Sequence, residues 1–192
     1  SAECIVTTAW LRLTPAPEAR GVVVAFYDDV RSGCEAVSTI LASGIQPTAL
    51  EYLDRGAVAS SLGSFPFESR ADAGFAVLAE ADGHPGEVAR VVGELEEAMA
   101  RGALGKVLKI TDRAEASSVW SWRDGISIAV TAQKGGKISE DVVVPGEKLA
   151  EAIEETVRIG ERHGLEACSW GHAGDGNLHS TFLVDLNNSD EM

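Results

Sequence analysis

Two histidines flank a glycine-rich turn near the carboxyl end of the sequence, in the stretch GHAGDGNLHS (171–180). Its Asp175-Gly176 pair predicts a two-residue type I′ hairpin turn, because that turn needs positive φ at both positions and Asp-Gly tolerates it. Pairing outward from such a turn places His172 opposite His179, at roughly 5 Å between their Cβ atoms. Two imidazoles in this arrangement can hold one metal ion. The alternative is a polar hairpin whose histidines bond to water or to backbone.

A tryptophan and an arginine three residues apart form a second candidate group. Trp120 and Arg123 lie in a predicted helix, so the indole and the guanidinium share a helix face. Arginine is the side chain that best grips a carboxylate through two hydrogen bonds, so this group is able to bind one. The alternative interpretation is a solvated surface arginine beside a core tryptophan.

Two further polar positions lie close to the histidines in the predicted hairpin. Asn177 would stand beside His179 on the same face, where its amide could orient a substrate oxygen or only satisfy the turn. The Glu140-Asp141 pair precedes a predicted strand. Either carboxylate could accept a hydrogen bond from an imidazole, or mark the solvated start of that strand.

Composition limits the class of protein and its partners. The 192 residues suit one sizeable domain or two small ones. The net charge of -14 argues against nucleic acid and anionic membrane as partners, which leaves small molecules or other proteins. The three cysteines Cys4, Cys34 and Cys168 have no ligand-like spacing, which indicates reduced thiols in a cytoplasmic protein. No apolar run is long enough to predict a transmembrane segment, and none resembles a signal peptide.

The pattern of apolar residues predicts the elements that must position these groups. Two strand-helix-strand units in series favour a ferredoxin-like antiparallel sheet with helices packed on one face, an α+β arrangement. A less regular stretch follows, with a helix to about Arg123 and then a Gly-rich connection. Predicted strands occupy 4–13, 21–27, 48–54, 75–82, 106–110, 138–144, 165–172 and 180–186, and predicted inward helix residues are Cys34, Val37, Leu41, Val88, Val91, Val92, Leu95, Met99, Leu149, Ile153 and Val157.

Three quoted stretches carry a resemblance to a known family. WSWRDGIS (120–127), SEDVVVPGEKLAEAI (139–153) and GHAGDGNLHSTFLVD (171–185) together resemble the C-terminal cap domain of FAD-linked oxidases of the vanillyl-alcohol oxidase type. The similar branch contains the flavoprotein of glycolate oxidase, D-lactate dehydrogenase and D-2-hydroxyglutarate dehydrogenase. The stretches 4–28 and 40–55 are similar to the start of the same domain, so the resemblance covers nearly the whole chain. No dinucleotide-binding or nucleophile-elbow motif accompanies it, which places the binding of a redox cofactor mainly elsewhere.

The resemblance implies a function and several site residues. It implies a cap or substrate-binding domain over residues 1–192, in an enzyme that oxidises glycolate or D-lactate to the 2-oxo acid by hydride transfer to FAD, which an absent N-terminal domain binds. His172 and His179 would coordinate a divalent metal, zinc in our expectation, that binds the substrate. Arg123 would bind the substrate carboxylate, and Ser127 would offer a substrate-binding hydroxyl. Asn177 completes the expected substrate contacts.

The sequence also departs from the family pattern. A downstream Glu-His-Gly segment that contributes a further metal ligand in relatives is absent before Met192, so two imidazoles alone form an incomplete site and the isolated fragment should be inactive. Ser139 stands where some relatives carry a substrate-contacting lysine, and Lys137 is the candidate substitute. We expect an electron-acceptor protein or a quinone as the oxidant of the flavin, and a cytoplasmic enzyme peripheral to the inner face of the membrane. The alternative is a free-standing ferredoxin-like module that binds a metal or a small molecule without redox activity.

Overall fold

The computed structural model describes residues 5–68, 70 and 72–191 as a seven-stranded sheet with six α-helices in that part of the chain. The sheet order is β4-β1-β3-β2-β6-β7-β5, and every neighbouring pair is antiparallel. The strands are β1 (Ala19–Tyr27), β2 (Ala49–Asp54), β3 (Phe75–Gly83), β4 (Leu108–Ile110), β5 (Gly136–Val143), β6 (Ala167–His172) and β7 (Asn177–Val184). The helices are α1 (Val30–Ala42), α2 (Arg55–Ser61), α3 (Pro85–Ala100), α4 (Arg113–Asp124), α5 (Ile126–Lys134) and α6 (Leu149–His163).

Each face of the sheet carries its own apolar core. Successive side chains of a strand point to opposite faces, so Tyr27 and Phe26 of β1 lie on different faces of the sheet. We call these the Tyr27 face and the Phe26 face. On the Tyr27 face, the strands pack against helices α1, α3 and α6. On the Phe26 face, they pack against helices α2, α4 and α5. The sheet is therefore covered by helices on both sides.

The predicted α+β class with an antiparallel sheet is confirmed, while the detail of helices on one face is corrected to helices on both faces. Helices α2 and α5 were not predicted, and both lie on the Phe26 face. Helix α2 begins directly after β2, because the Asp54 side chain accepts a hydrogen bond from the Ala57 N–H at 3.0 Å and caps the helix. Helix α5 replaces the predicted connection, although its sequence ISIAVTAQK is rich in β-branched residues.

The strand predicted over 4–13 is wrong for the residues that the structure describes, and Cys4 lies outside them. Residues 5–13 form no strand, and their large apolar side chains are 75–97% exposed. A strand needs a partner to satisfy its backbone groups, and within the described part of the chain none pairs with this segment. The exposed apolar side chains are Ile5, Val6, Trp10, Leu11 and Leu13.

The inward faces of the helices follow the prediction with two exceptions. In α1, Cys34 and Val37 are buried as predicted, but Ile40 rather than Leu41 completes the buried stripe, and Leu41 is 43% exposed. In α6, Val157 is only partly buried. Among the helices of the described residues, none has the length and apolar character needed to cross a membrane.

Candidate functional site

The hairpin between β6 and β7 differs from the predicted one in its register. Its turn spans four residues, 173–176, so His172 pairs with Asn177 while His179 pairs with Trp170. The predicted type I′ turn and the direct His172–His179 pairing are wrong. Only Gly176 of the turn pair has a positive φ, at 74°. The difference in register is two residues, which keeps both histidines on the same face of the sheet, with ring centroids 6.1 Å apart.

Neighbouring strands hold the turn in this longer form. The Gly174 N–H donates to the Leu50 carbonyl at 3.2 Å, and the Val144 N–H donates to the Gly176 carbonyl at 3.0 Å. A Cβ atom at Gly176 would lie 2.0 Å from the Val144 carbonyl oxygen, so only glycine fits this close approach. The backbone contacts with β2 and with the residue after β5 explain why the turn takes four residues.

Paired residues across four strands bring the polar groups together in two adjacent rows. The rows lie on the Phe26 face, because Leu53 and Trp170 belong to the core on that face. The first row holds Glu51, His172, Asn177 and Val143, from β2, β6, β7 and β5 respectively. The second row holds Leu53, Trp170, His179 and Asp141, from the same strands.

A carboxylate binds each imidazole through its Nδ1 atom. The Glu51 Oε1 atom lies 2.6 Å from His172 Nδ1. The Asp141 carboxylate is hydrogen-bonded to His179 Nδ1. A carboxylate at Nδ1 fixes the proton there and leaves Nε2 as the ring atom with a free lone pair. Of the two interpretations of the Glu140-Asp141 pair, the contact between Asp141 and His179 supports the imidazole partner.

Arg123 of helix α4 contacts Glu51, the same carboxylate that binds His172. Arg123 donates to Glu51 Oε2 from Nε at 2.9 Å and from Nη2 at 2.6 Å, and its side chain is only 15% exposed. Trp120 shares the helix face and donates its indole N–H to Glu80 on the neighbouring strand. The guanidinium is therefore not the solvated surface group of the alternative interpretation, since two strands of the sheet anchor this helix face.

Lys137 is a second cation on this face, with the Trp170 ring between it and His179. Its Nζ atom donates to Ser127 Oγ at 2.6 Å and lies 4.9 Å from the centre of the Trp170 ring. The Trp170 ring is in turn 5.6 Å from the His179 ring. Burial lowers the pKa of Lys137. The structure thus places Lys137 and Ser127 together at the site, whereas Ser139 bonds to the Thr181 hydroxyl.

The donor set fits part of a metal site. Both imidazoles have an Nε2 atom left for a ligand, and the buried Oδ1 atom of Asn177, in the row of His172, has no hydrogen-bond partner. Over residues 5–68, 70 and 72–191, however, no group of three or more His, Cys, Asp or Glu side chains could hold a metal ion. The two imidazoles alone would not complete a metal site, so the described residues offer at most two nitrogen ligands.

Glu51 is the residue of this cluster that the sequence analysis missed. It lies in ALEYLD, a run predicted as a strand, and its neighbours Leu50 and Tyr52 are buried. The signal was available, because a charged residue inside an apolar strand is buried only when it is paired. The predicted site residues all lie on or against the Phe26 face. They are Arg123, Ser127, Asn177, His172 and His179.

Comparison with known proteins shows which family and which relatives this chain is similar to. The family model described as FAD linked oxidases, C-terminal domain, matches residues 16–192. Glycolate oxidase subunit GlcD of Bacillus subtilis is 32% identical over 190 residues, which are 98% of this chain and 40% of that relative. D-lactate dehydrogenase of Anaerostipes hadrus is 28% identical over 182 residues, which are 91% of this chain and 38% of that relative.

The likeness extends to solved structures and is limited in length. A structure of 4-ethylphenol oxidase from Gulosibacter chungangensis, in an isoeugenol complex, superimposes with a TM-score of 0.67 at 16% identity. The match covers 94% of this chain and 42% of that one, and it shows a shared fold alone. The chain spans about 40% of the length of the curated relatives described above.

Proposed function

Because this chain belongs to the family of C-terminal domains of FAD-linked oxidases, we propose that it forms the substrate-binding cap of an FAD-dependent enzyme that oxidises a 2-hydroxy acid. In this proposal the substrate is glycolate or D-lactate, the product is the 2-oxo acid, and polypeptide beyond residues 1–192 binds most of the FAD. Similarity to GlcD and to D-lactate dehydrogenase supports the reaction class. The observation that carries the proposal is the cluster of two cations and two imidazoles on one face of the sheet.

Arg123 and Lys137 would hold the substrate carboxylate. Arginine has five N–H donors, and two of those on Arg123 point at Glu51, which leaves three for a ligand. Lys137 donates to a hydroxyl rather than to a carboxylate, so its charge is available to an anion. Ser127 and Asn177 would contact the remaining polar atoms of the substrate. Fixing the acid in this way decides which hydrogen of its α-carbon faces the flavin, the acceptor of the hydride.

The histidines would serve the hydroxyl end of the substrate. We propose that His172 and His179 hold a divalent metal, zinc, through their Nε2 atoms, together with a ligand from outside the described residues. When bound, such an ion lowers the pKa of a coordinated hydroxyl, which favours loss of its proton as the hydride leaves. Glu51 would keep the imidazole of His172 in the tautomer that this role requires.

Location and electron acceptor form part of the same proposal. We place the enzyme in the cytoplasm, peripheral to the inner face of the membrane, with an electron-acceptor protein or a quinone as the oxidant of the reduced flavin. The cysteines support a reducing compartment, because Cys34 and Cys168 are buried and free. The negative charge of the chain argues against direct binding of this domain to anionic lipid.

Anaerobic reduction of the flavin tests the proposal in the full-length protein. Glycolate, D-lactate, L-lactate and D-2-hydroxyglutarate are mixed with it separately, and bleaching of the oxidised flavin is followed. We expect rapid bleaching by glycolate or D-lactate, and its loss in His172→Ala and Arg123→Ala. His163→Ala is the matched control, because this exposed residue ends α6, which packs on the opposite, Tyr27 face of the sheet. A protein without flavin, or a flavin that none of these acids reduces, would instead support the free-standing ferredoxin-like binding module.

A further inference from the structure

Glu51 is a buried carboxylate with both oxygens engaged by different residues. Its side chain is only 7% exposed, in the middle of β2, between β3 and β6. Oε2 accepts both bonds from Arg123, and Oε1 lies 2.6 Å from His172 Nδ1. A buried charge is tolerated only when it is paired and hydrogen-bonded, which both contacts achieve here. One side chain therefore links the cation from helix α4 to the imidazole from strand β6.

We propose that Glu51 is a positioning residue that orients Arg123 and His172 as one unit, and this inference rests on the proposed function. The Nε and Nη2 donors of Arg123 that face Glu51 are unavailable to a ligand, so a carboxylate must approach the remaining Nη1 side of the guanidinium. On the other side, the bond to Nδ1 turns the Nε2 atom of His172 away from Glu51. The geometry of both groups toward the substrate then depends on a single carboxylate.

The two imidazoles are not supported equally. The Glu51 partner of His172 is buried, whereas the Asp141 partner of His179 is 72% exposed. A hydrogen bond to a solvent-exposed carboxylate contributes little, because water competes for that carboxylate, even though the His179 side chain is itself only 26% exposed. A buried charge-assisted bond is stronger and costs more to break. We therefore infer that His172 is fixed by the fold, while His179 depends much less on its carboxylate.

The sheet keeps Glu51 in place, and helix α4 brings Arg123 to it. Glu51 pairs with Leu78 of β3 and with His172 of β6, so strands on both sides hold its backbone. One turn earlier in α4, the indole of Trp120 donates to Glu80, which anchors the helix independently of Arg123. A change at Glu51 should consequently disturb the orientation of the two side chains more than the position of the helix.

The test compares Glu51→Gln with the matched control Asp141→Asn in the full-length protein, using the 2-hydroxy acid that bleaches the flavin. Both changes remove one charge from the carboxylate partner of one histidine. For Glu51→Gln we expect kcat/KM to fall by about 10- to 100-fold, mainly through KM, and for Asp141→Asn by less than about 3-fold. Glu51→Gln should also reduce kcat/KM less in an Arg123→Lys background than in the wild type, because the two residues act as a unit.

A readout independent of turnover separates this inference from the proposed function. In metal-free, full-length protein with 15N-labelled histidine, the proton on His172 Nδ1 should resonate far downfield and move upfield in Glu51→Gln, with little change at His179. That result would support the positioning role even if no hydroxy acid reduces the flavin. Glu51→Asp is the substitute variant if Glu51→Gln does not fold. Its shorter side chain should lower kcat/KM and move the His172 Nδ1 proton upfield in the same way. The inference is overturned if the variant that folds has the kcat/KM and the His172 Nδ1 proton shift of the wild type or of Asp141→Asn. It is also overturned if the fold-losses in kcat/KM of this variant and of Arg123→Lys simply multiply in the double variant.

Discussion

Gly176 offers a direct test of how the hairpin is built. Its φ of 74° lies in the left-handed region, and a Cβ atom there would meet the Val144 carbonyl oxygen at 2.0 Å. Gly44 has a nearly identical φ of 78°, but a Cβ atom there would meet nothing within 4 Å. The two glycines have nearly the same φ, so alanine meets similar strain at both positions, and at Gly176 it also collides with neighbouring backbone.

The expected magnitudes follow from that difference. Gly44→Ala should lower the free energy of unfolding by about 1 kcal/mol, the strain of a left-handed non-glycine residue. Gly176→Ala adds displacement of the Val144 carbonyl and weakening of the hydrogen bond from the Val144 N–H, so we expect a loss of about 3 kcal/mol or more. For a chain of this length these losses lower the Tm by about 2–4 °C for Gly44→Ala and at least about 6 °C for Gly176→Ala.

Urea denaturation followed by tryptophan fluorescence measures both variants against the wild type. We expect the midpoints to separate while the m-values stay equal, because neither change alters the surface exposed on unfolding. Equal losses for Gly44→Ala and Gly176→Ala, within about 0.5 kcal/mol, would refute the close approach of the turn to Val144. They would also remove our explanation for the four-residue turn.

Three further predictions concern stability and the helices. Burial raises the pKa of Asp54 to about 7 from its ordinary 3.8, so the folded state holds a proton that the unfolded chain releases. Stability should therefore fall by up to about 4 kcal/mol as the pH rises from about 4 through 7, and urea titrations of Asp54→Asn should show a flatter pH dependence. Trp122 donates to the Ser61 carbonyl at 2.9 Å, so calorimetry of Trp122→Phe should show a loss of about 1–3 kcal/mol from the unpaired carbonyl. Ile40→Ala should cost about 2–5 kcal/mol and Leu41→Ala less than about 1 kcal/mol in urea denaturation, because Ile40 alone is fully buried.

Strands and long helices could be predicted where local pattern and tertiary packing agree. The run GVVVAFY is β-branched and buried on both faces, so β1 was predicted at almost its observed bounds. Helix α5 was missed because Ile126, Ile128 and Val130 favour strands locally, and packing on the Phe26 face overrides that preference. In the segment 5–13 a strand was predicted that does not form, because strand propensity alone cannot form a strand without a paired neighbour.

The candidate site was predictable in its residue types but not in its connections. The motif around His172 and His179 was evident, and a two-residue error in register still left both on the same face. The register itself depends on contacts of the turn with Leu50 and Val144, which are distant in sequence. The apolar strand around Glu51 indicates that this carboxylate is paired, but its partner Arg123 is 72 residues away, so no local pattern identified that partner.

The pairing in the β6–β7 hairpin limits which insertions and deletions this region can accept. Side chains alternate between faces along β7, so adding or losing one residue in the turn would send His179 and Asn177 to the Tyr27 face, among the apolar side chains of α6. A change of two residues keeps both side chains on their present face and shifts them along the strand. The turn should therefore change in length by two residues at a time. Natural variants whose turn has an odd number of residues should have lost the polar side chains at the positions of Asn177 and His179.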